Sequence, residues 1–238
     1  MIEYIEKKYI QKNSVEKRDY QINLANQAMN ENCVIVLPTG LGKTTIALHV
    51  IAEYLSQESV RVLFLAPTRV LVNQHFDFLK QNLTIDDITL ITGEDSVEKR
   101  AELWNSRIIC ATPEVARNDL NAKIINSQQF SLVIFDEVHR TTGDYAYSSI
   151  AKHFEDTDTR LLGMTATLPS EQEKATEILT RLKISSVAER TENSPDVKPY
   201  IQETETEWIN VELPPELKSI QKFLKLSLDE RYDTLRKN

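Results

Sequence analysis

Short runs of apolar residues alternate with amphipathic segments between residue 33 and about residue 188. This alternation is typical of a parallel sheet with helices packed on both faces. Most of the runs are apolar throughout, as expected of strands that are buried on both sides. The pattern therefore predicts an α/β fold with a central, mostly parallel sheet flanked by helices. The predicted strands are 33–37, 61–66, 88–91, 107–111, 131–135, 160–164 and 184–188.

The pattern changes after Pro199, where the chain becomes polar and extended through Val211. An amphipathic segment then begins at Pro214 and Pro215, and proline suits the first turn of a helix. We predict a main domain over residues 1–208 and, over residues 209–238, a C-terminal helical extension that is the start of a truncated helical domain. The apolar stripe of this helix has no obvious partner in the main domain and consists of Leu217, Ile220, Leu224, Leu228 and Leu235.

Composition narrows the class of protein. The chain has 238 residues, of which 41% are hydrophobic and 27% charged, which excludes disordered and low-complexity proteins. The longest apolar runs reach strand length and fall far short of a membrane span. The N-terminus lacks the apolar stretch of a secretory signal, so we expect a cytoplasmic protein, associated with the nucleoid if its source is archaeal. Cys33 and Cys110 lie inside apolar runs and are expected to be buried thiols.

The net charge limits what kind of nucleic-acid binder this chain can be. A formal charge of −8 argues against general binding of polyanions, because affinity for phosphate backbones comes from Lys and Arg. A local groove remains compatible with this charge. Contacts with nucleic acid would then be confined to a few loops.

Polar residues follow most of the predicted strands directly. Ligands of open α/β sheets bind outside the carboxyl ends of the strands, so these positions are where chemistry is expected. The segments are residues 38–44, Pro67-Thr68-Arg69, Thr92-Gly93, Thr112-Pro113-Glu114, Asp136-Glu137-Val138-His139 and Thr165-Ala166-Thr167.

The segment after the first strand predicts a phosphate-binding loop. Backbone amides of a Gly-rich turn at a helix N-terminus cradle phosphates, Lys43 can reach the β and γ oxygens, and the Thr44 hydroxyl can bind Mg²⁺. The full pattern has glycine five residues before Gly42, where this chain has Leu37. The predicted nucleotide-binding residues of this loop are Pro38, Thr39, Gly40, Leu41, Gly42, Lys43, Thr44 and Thr45.

Two acids at the end of the fifth strand complete a predicted hydrolytic site. Asp136 can hold Mg²⁺, and Glu137 can polarise the attacking water. Combined with the Gly-rich loop, this pair indicates hydrolysis of ATP or GTP. Upstream, Gln21 can read adenine, because one amide offers both a donor and an acceptor to the edge of the base.

In this order the motifs resemble the core of a DEAH-like superfamily-2 helicase. The chain is most similar to the archaeal Hef and Fanconi-anaemia M branch, through residues 37–44, 135–140, 143–147 and 192–197. Val138 stands where that branch usually has Ala, and Thr167 where it usually has Ser; both changes conserve size or chemistry. The motifs that carry the resemblance are Gln21, motif I at Gly40 to Thr44, motif Ia at Pro67 to Arg69, motif II at Asp136 to His139 and motif III at Thr165 to Thr167.

The resemblance implies a first RecA-like lobe that binds ATP and Mg²⁺. A second RecA-like lobe with an arginine finger would be missing from the chain, so the lobe alone should hydrolyse ATP poorly. His139 would act with Asp136 and Glu137 in catalysis, and Thr165 and Thr167 would couple the γ-phosphate to a nucleic-acid groove. The resemblance implies backbone contacts with DNA from Arg69, Thr92, Gly93, Thr112 and Arg117.

The main functional hypothesis is an ATP-dependent helicase or translocase that acts on branched DNA. A double-stranded-RNA-stimulated ATPase of the same superfamily stays open, because contacts with the phosphate backbone do not distinguish the sugar. A non-catalytic nucleotide-binding scaffold is a third possibility, against which the Asp136-Glu137 pair argues. A small-molecule kinase is disfavoured because it would not need the ordered polar segments after the other strands.

Overall fold

The fold is a seven-stranded sheet in which every paired strand runs parallel to its neighbours, in the order β3-β4-β2-β5-β6-β1-β7. It was determined as a computed structural model that describes residues 3–141, 146–201 and 214–236. The predicted α/β fold with a parallel sheet is confirmed. The strands are β1 Cys33–Val36, β2 Val62–Leu65, β3 Ile88–Ile91, β4 Ile108–Ala111, β5 Leu132–Phe135, β6 Arg160–Thr165 and β7 Ser186–Glu189.

Burial along the strands explains the apolar runs of the sequence. All residues of β1, β2, β4 and β5 are buried, because these strands lie inside the sheet with a layer on each face. The edge strands β3 and β7 are partly exposed. Every predicted strand corresponds to one in the structure, and the bounds differ by no more than two residues.

Helices cover both faces of the sheet. Tyr20, Ile46 and Val72, on the first three helices, belong to one hydrophobic core, and Val115 and Ile150, on the fifth and sixth, belong to the other. The described helices are α1 Asp19–Asn30, α2 Lys43–Tyr54, α3 Arg69–Asn82, α4 Val97–Leu103, α5 Pro113–Asn121, α6 Ala146–Lys152, α7 Gln172–Arg181 and α8 Pro215–Arg236.

A buried ion pair ties α4 to α5. The Arg100 guanidinium donates to both carboxylate oxygens of Asp119, at 2.8 Å each. The indole of Trp104 also donates to Asp119, at 2.8 Å. Asp119 is 1% exposed, so the three donors replace the water that its carboxylate loses on folding.

The chain divides into two units, residues 1–201 and residues 202–238. The predicted domain boundary at 208/209 falls between residues 202 and 213, outside the described residues. In the second unit α8 is a helix of 22 residues, where the sequence predicts one, and Leu217, Ile220, Leu224 and Leu228 on it are exposed. No helix in the described part of the chain is long and apolar enough to cross a membrane.

Candidate nucleotide site

Strand order brings the predicted nucleotide motifs together at one edge of the sheet. β1 leads into the Gly-rich loop, and β6, its neighbour in the sheet, ends at Thr165. On the other side of β6 lies β5, which is followed by Asp136 and Glu137. Because all three strands are parallel, their carboxyl ends place the three motifs side by side.

The loop between β1 and α2 has the backbone of a phosphate-binding loop. Gly40 and Gly42 have φ angles of 85° and 82°, a left-handed conformation in which a Cβ atom would be strained. A Cβ on Gly42 would also collide with the side-chain nitrogen of Gln21. Lys43 donates from Nζ to the Leu37 carbonyl at 3.0 Å. The Lys43 ammonium has two further donors, so this bond holds the side chain against the loop and leaves donors for a phosphate.

Gln21 and Tyr20 on α1 hold the Gly-rich loop by hydrogen bonds to its backbone. The Tyr20 hydroxyl and Gln21 Nε2 donate to the Leu41 carbonyl at 2.7 and 3.0 Å. Gln21 is 3% exposed, and its Oε1 has no hydrogen-bond partner among the described residues. A buried acceptor without a partner is costly, and an exocyclic amine of a purine is a donor that fits it.

Asp136 and Thr44 meet at one imidazole ring. His75 on α3 lies with Nε2 2.8 Å from Asp136 Oδ2 and with Nδ1 3.5 Å from Thr44 Oγ1. Asp136 is 4% exposed and His75 is 7% exposed. The predicted Mg²⁺ ligands thus come from α2 and from the end of β5 and lie on opposite sides of a single side chain.

The acidic pair is held in a strained turn. Glu137 has a φ of 54°, which is uncommon for a residue with a Cβ and clusters at functional sites. Tyr147 on α6 donates from its hydroxyl to the Asp136 carbonyl at 2.7 Å and packs edge-on against Phe135. Tyr147 thereby anchors the backbone on the strand side of Glu137.

His139 lies between the acidic pair and the end of β6. Its Nδ1 is 3.0 Å from Thr165 Oγ1 and 3.1 Å from Glu137 Oε2. The Thr165 hydroxyl also donates to the Thr167 carbonyl at 2.8 Å. These contacts join the residues after β5 to the end of β6. The Thr167 hydroxyl itself lies on an exposed residue.

The predicted nucleic-acid residues lie on the other side of the sheet edge, after β2, β3 and β4. Arg69 donates to both oxygens of Glu94 at 2.7 Å each, and this pairing lowers the pKa of the Glu94 carboxyl. The Thr92 hydroxyl donates to Asp95 at 3.2 Å. Gly93 is exposed, Thr112 is buried at the start of α5 without a side-chain cap, and Arg117 is half-buried.

The site also contains residues that the sequence motifs do not reveal. Tyr20, His75 and Tyr147 each hold a motif residue or its backbone. His75 carries a signal that could have drawn notice, because it is a polar residue on the buried face of α3, between Val72 and Leu79. Tyr147 lies in a segment that carries the Hef resemblance, whose residues 143–145 fall outside the described part of the chain.

The residues present fit a nucleotide and Mg²⁺. The two left-handed glycines lie directly before α2, and the N-terminus of a helix is a favourable place for a phosphate. Thr44 and Asp136 supply the hydroxyl and carboxylate oxygens that Mg²⁺ prefers. Gln21 Oε1 is a buried acceptor beside the loop. A parallel sheet with this loop after β1 and an acidic pair after β5 defines the phosphate-binding-loop class of α/β proteins.

Comparison with known proteins identifies the family within that class. The model for the DEAD/DEAH box helicase family matches residues 18–175, and the chain belongs to this family. The Hef helicase domain of Pyrococcus furiosus has a similar structure, with a TM-score of 0.78 and 38% identity over 90% of this chain. The predicted RecA-like fold and the resemblance to the Hef branch are confirmed.

Curated relatives are similar over most of this chain. A protein of Methanocaldococcus jannaschii, named for an assumed ATP-dependent RNA helicase activity, is 44% identical and covers 98% of it. The ATP-dependent DNA helicase MPH1 of Saccharomyces cerevisiae is 36% identical over 89%. The chain spans 30% and 22% of the lengths of these two relatives, and 46% of the P. furiosus chain.

Proposed function

We propose that this chain is the ATP-binding N-terminal lobe of an ATP-dependent DNA helicase or translocase that acts on branched DNA. The observation that carries the proposal is the meeting of Thr44 and Asp136 on the two nitrogens of His75. Because of it, the Gly-rich loop and the acidic pair form one hydrolytic site instead of two separate turns.

Each residue of the site has a role in this proposal. The amides of residues 38–45 hold the phosphates, and Lys43 neutralises the β and γ oxygens. Thr44 and Asp136 would hold Mg²⁺, which would supply positive charge against the charge that develops in phosphoryl transfer. Glu137 accepts a proton from the attacking water. Gln21 contacts adenine through its unpaired Oε1.

Full hydrolysis would require a second RecA-like lobe. An arginine finger contributes about 10³- to 10⁵-fold to phosphoryl transfer, and the family would supply it from that lobe. The chain spans less than a third of the two curated relatives, which supports a longer working enzyme. The lobe by itself should therefore bind nucleotide and turn it over slowly.

The nucleic-acid contacts would lie along the carboxyl ends of β2, β3 and β4. Arg69 would pair with phosphate, while Thr92, Gly93 and Thr112 would offer amides and hydroxyls, joined by Arg117. Contacts of this kind position a strand without reading its sequence. His139, Thr165 and Thr167 would transmit the state of the γ-phosphate to this groove. The enzyme would work in the cytoplasm, on the nucleoid if its source is archaeal.

The names of the relatives favour DNA over RNA, although they do not all agree. MPH1 is named a DNA helicase and the M. jannaschii protein an RNA helicase, while the structural relative is a Hef helicase domain. The decisive experiment measures ATP hydrolysis by the chain joined to its second lobe, with forked DNA, linear duplex DNA and duplex RNA. We expect forked DNA to stimulate most. Stimulation by duplex RNA alone would overturn the DNA proposal.

Variants of the same protein separate catalysis from a scaffold role. Lys43→Ala should abolish stimulated hydrolysis, because the phosphates lose their cation. Lys174→Ala, on the exposed face of α7, is the matched control and should leave the rate unchanged. A normal rate in the Lys43→Ala protein would remove the assigned role and favour a nucleotide-binding scaffold.

A further inference from the structure

His75 is a polar residue on the buried face of α3. It shares this face with Val72 and Leu79, and its ring packs on Phe64 with centroids 4.5 Å apart. A buried imidazole needs partners for its polar atoms. Both partners of His75 are the proposed Mg²⁺ ligands, Asp136 and Thr44.

Chemistry assigns the proton of the ring. An ionised carboxylate accepts hydrogen bonds and donates none, so Nε2 carries the hydrogen and donates to Asp136 Oδ2 at 2.8 Å. When the ring is neutral, Nδ1 is an acceptor, and the Thr44 hydroxyl 3.5 Å away donates to it. The hydroxyl hydrogen of Thr44 then points toward His75, which leaves its oxygen lone pairs directed elsewhere.

We propose that His75 is a positioning residue that holds the Thr44 hydroxyl and the Asp136 carboxylate in the arrangement that receives Mg²⁺ with the nucleotide. Residues that hydrogen-bond to metal ligands fix the orientation and basicity of those ligands, and losing one typically costs about 10- to 100-fold in metal affinity or activity. The inference rests on the proposed function, since it assigns Thr44 and Asp136 to Mg²⁺. A conserved fold with an ordinary buried histidine would not show this dependence on metal.

The test is binding of a fluorescent ADP analogue to the 238-residue chain, titrated with Mg²⁺ and, separately, in EDTA. His75→Phe keeps a ring on Phe64 but removes both hydrogen bonds. We expect the Mg²⁺ concentration needed for tight binding to rise about 10- to 100-fold, with little change of nucleotide affinity in EDTA. His75→Gln keeps a donor for Asp136. Its Mg²⁺ requirement should therefore lie between those of the unchanged chain and of His75→Phe.

The matched control is His49→Phe. His49 on α2 is 3% exposed, as buried as His75, and contacts neither proposed ligand. Burial lowers its pKa to about 4, so the change removes no charge. This variant should bind Mg²⁺ and nucleotide as the unchanged chain does.

Outcomes separate the two levels of the proposal. If the unchanged chain binds no nucleotide, both the proposed function and the role of His75 are wrong. If it binds nucleotide and His75→Gln shows the same Mg²⁺ dependence as the unchanged chain and as a folded His75→Phe chain, the role of His75 alone is wrong. Should His75→Phe fail to fold by circular dichroism, the comparison of His75→Gln with the unchanged chain decides.

Discussion

The two halves of the sheet edge hold their polar residues in different ways. In the half formed by β5, β6 and β1, Asp136 and Thr165 are buried and bonded to other side chains of the same site. In the half formed by β3, β4 and β2, Arg69 is exposed and its partner is the exposed Glu94. The side chains of the first half are held by contacts within the site, whereas Arg69 of the second half would exchange its contact with Glu94 for a contact with the proposed ligand.

The difference follows from what each half would bind. A nucleotide is small and can be enclosed, so buried donors and acceptors gain from low dielectric. A nucleic-acid strand is long and must remain in reach of solvent, and its contacts are exposed and screened by salt. Glu94 and Asp95, in the turn after β3, add negative charge beside the proposed groove. The whole chain has a net charge of −8, which disfavours general binding of polyanions.

Helix α3 joins the two halves. It begins at Arg69, which belongs to the proposed groove, and carries His75 on its second turn inside the nucleotide half. A shift of α3 would therefore move residues of both halves together. Changes in the nucleotide half should alter the rate of hydrolysis, and changes in the groove half should alter affinity and its salt dependence.

The largest expected effect is that of Glu137→Gln in the chain joined to its second lobe. Losing a general base lowers a rate by about 10²- to 10⁴-fold, while nucleotide affinity should persist because Gln conserves the shape. Steady-state hydrolysis with forked DNA and equilibrium nucleotide binding measure the two quantities. Glu173→Gln, on exposed α7, controls for loss of a charge. An unchanged rate would break the assignment of catalysis to this half.

A large loss of stability is expected when Asp119, which joins α5 to α4 in the groove half, is replaced. Asp119→Ala leaves Arg100 without its partner in a largely buried place, since the two side chains are 1% and 14% exposed, and breaking such a pair costs about 3 kcal/mol or more. Urea unfolding of the chain measures it. Asp196→Ala removes a half-exposed partner of Arg190 and should cost less than about 1 kcal/mol. Equal losses would mean that the buried pair of Asp119 and Arg100 stabilises the fold no more than a partly exposed pair does.

The sequence predicts the sheet well because its strands are buried on both sides. Continuous apolar runs then mark each strand, and the first proline or polar residue marks the end of the run, as at Pro38 and Asp136. The predicted bound at residue 184 is less accurate, because Ile184 packs in the core before β7 begins at Ser186. Burial of Ile184 is a property of the turn after α7 and leaves no strand pattern.

Contacts between distant segments are not available to the sequence pattern. His75 lies 61 residues from Asp136 and 31 residues from Thr44, and their meeting depends on the order of strands in the sheet. The ion pair of Arg69 with Glu94 depends in the same way on how the turn after β3 approaches α3. The motifs locate the residues of the site, and the sheet order supplies their supports.

A moderate effect on coupling is expected for Thr165→Val. The change keeps the shape of a fully buried residue but removes the hydroxyl that bonds His139 and the Thr167 carbonyl. An unmade buried hydrogen bond costs about 1–3 kcal/mol, or about 5- to 150-fold in a rate. We expect this loss in the stimulation of hydrolysis by DNA, with a smaller change in the unstimulated rate.

Thr159→Val is the matched control for coupling. Its hydroxyl is also buried and donates to the Phe130 carbonyl at 2.7 Å, but it lies before the amino end of β6, away from the site. It should lower stability without lowering the ratio of stimulated to unstimulated hydrolysis. If both variants lower that ratio equally, the Thr165 hydroxyl acts on the fold and does not link the two halves.

The smallest effect concerns the exchange of Glu94 for phosphate on Arg69. Glu94→Gln removes the charge that holds the guanidinium, and because exposed ion pairs are weak, affinity for forked DNA should rise by no more than about fivefold. Arg69→Ala should weaken binding and reduce the slope of log affinity against log salt by about one. Fluorescence anisotropy at several salt concentrations measures both. Glu98→Gln changes the same charge on nearby α4 and should have less effect than Glu94→Gln.

The double variant distinguishes exchange from simple repulsion of DNA by an acidic turn. If Glu94 acts by occupying Arg69, then Glu94→Gln should have no effect in a protein that already carries Arg69→Ala, apart from the small change seen with Glu98→Gln. If it raises affinity as much without Arg69 as with it, the carboxylate repels phosphate on its own. The DNA affinity of the groove half would then depend on its overall electrostatic potential and not on one ion pair. The nucleotide half, whose polar residues are buried and paired, would differ from it even more.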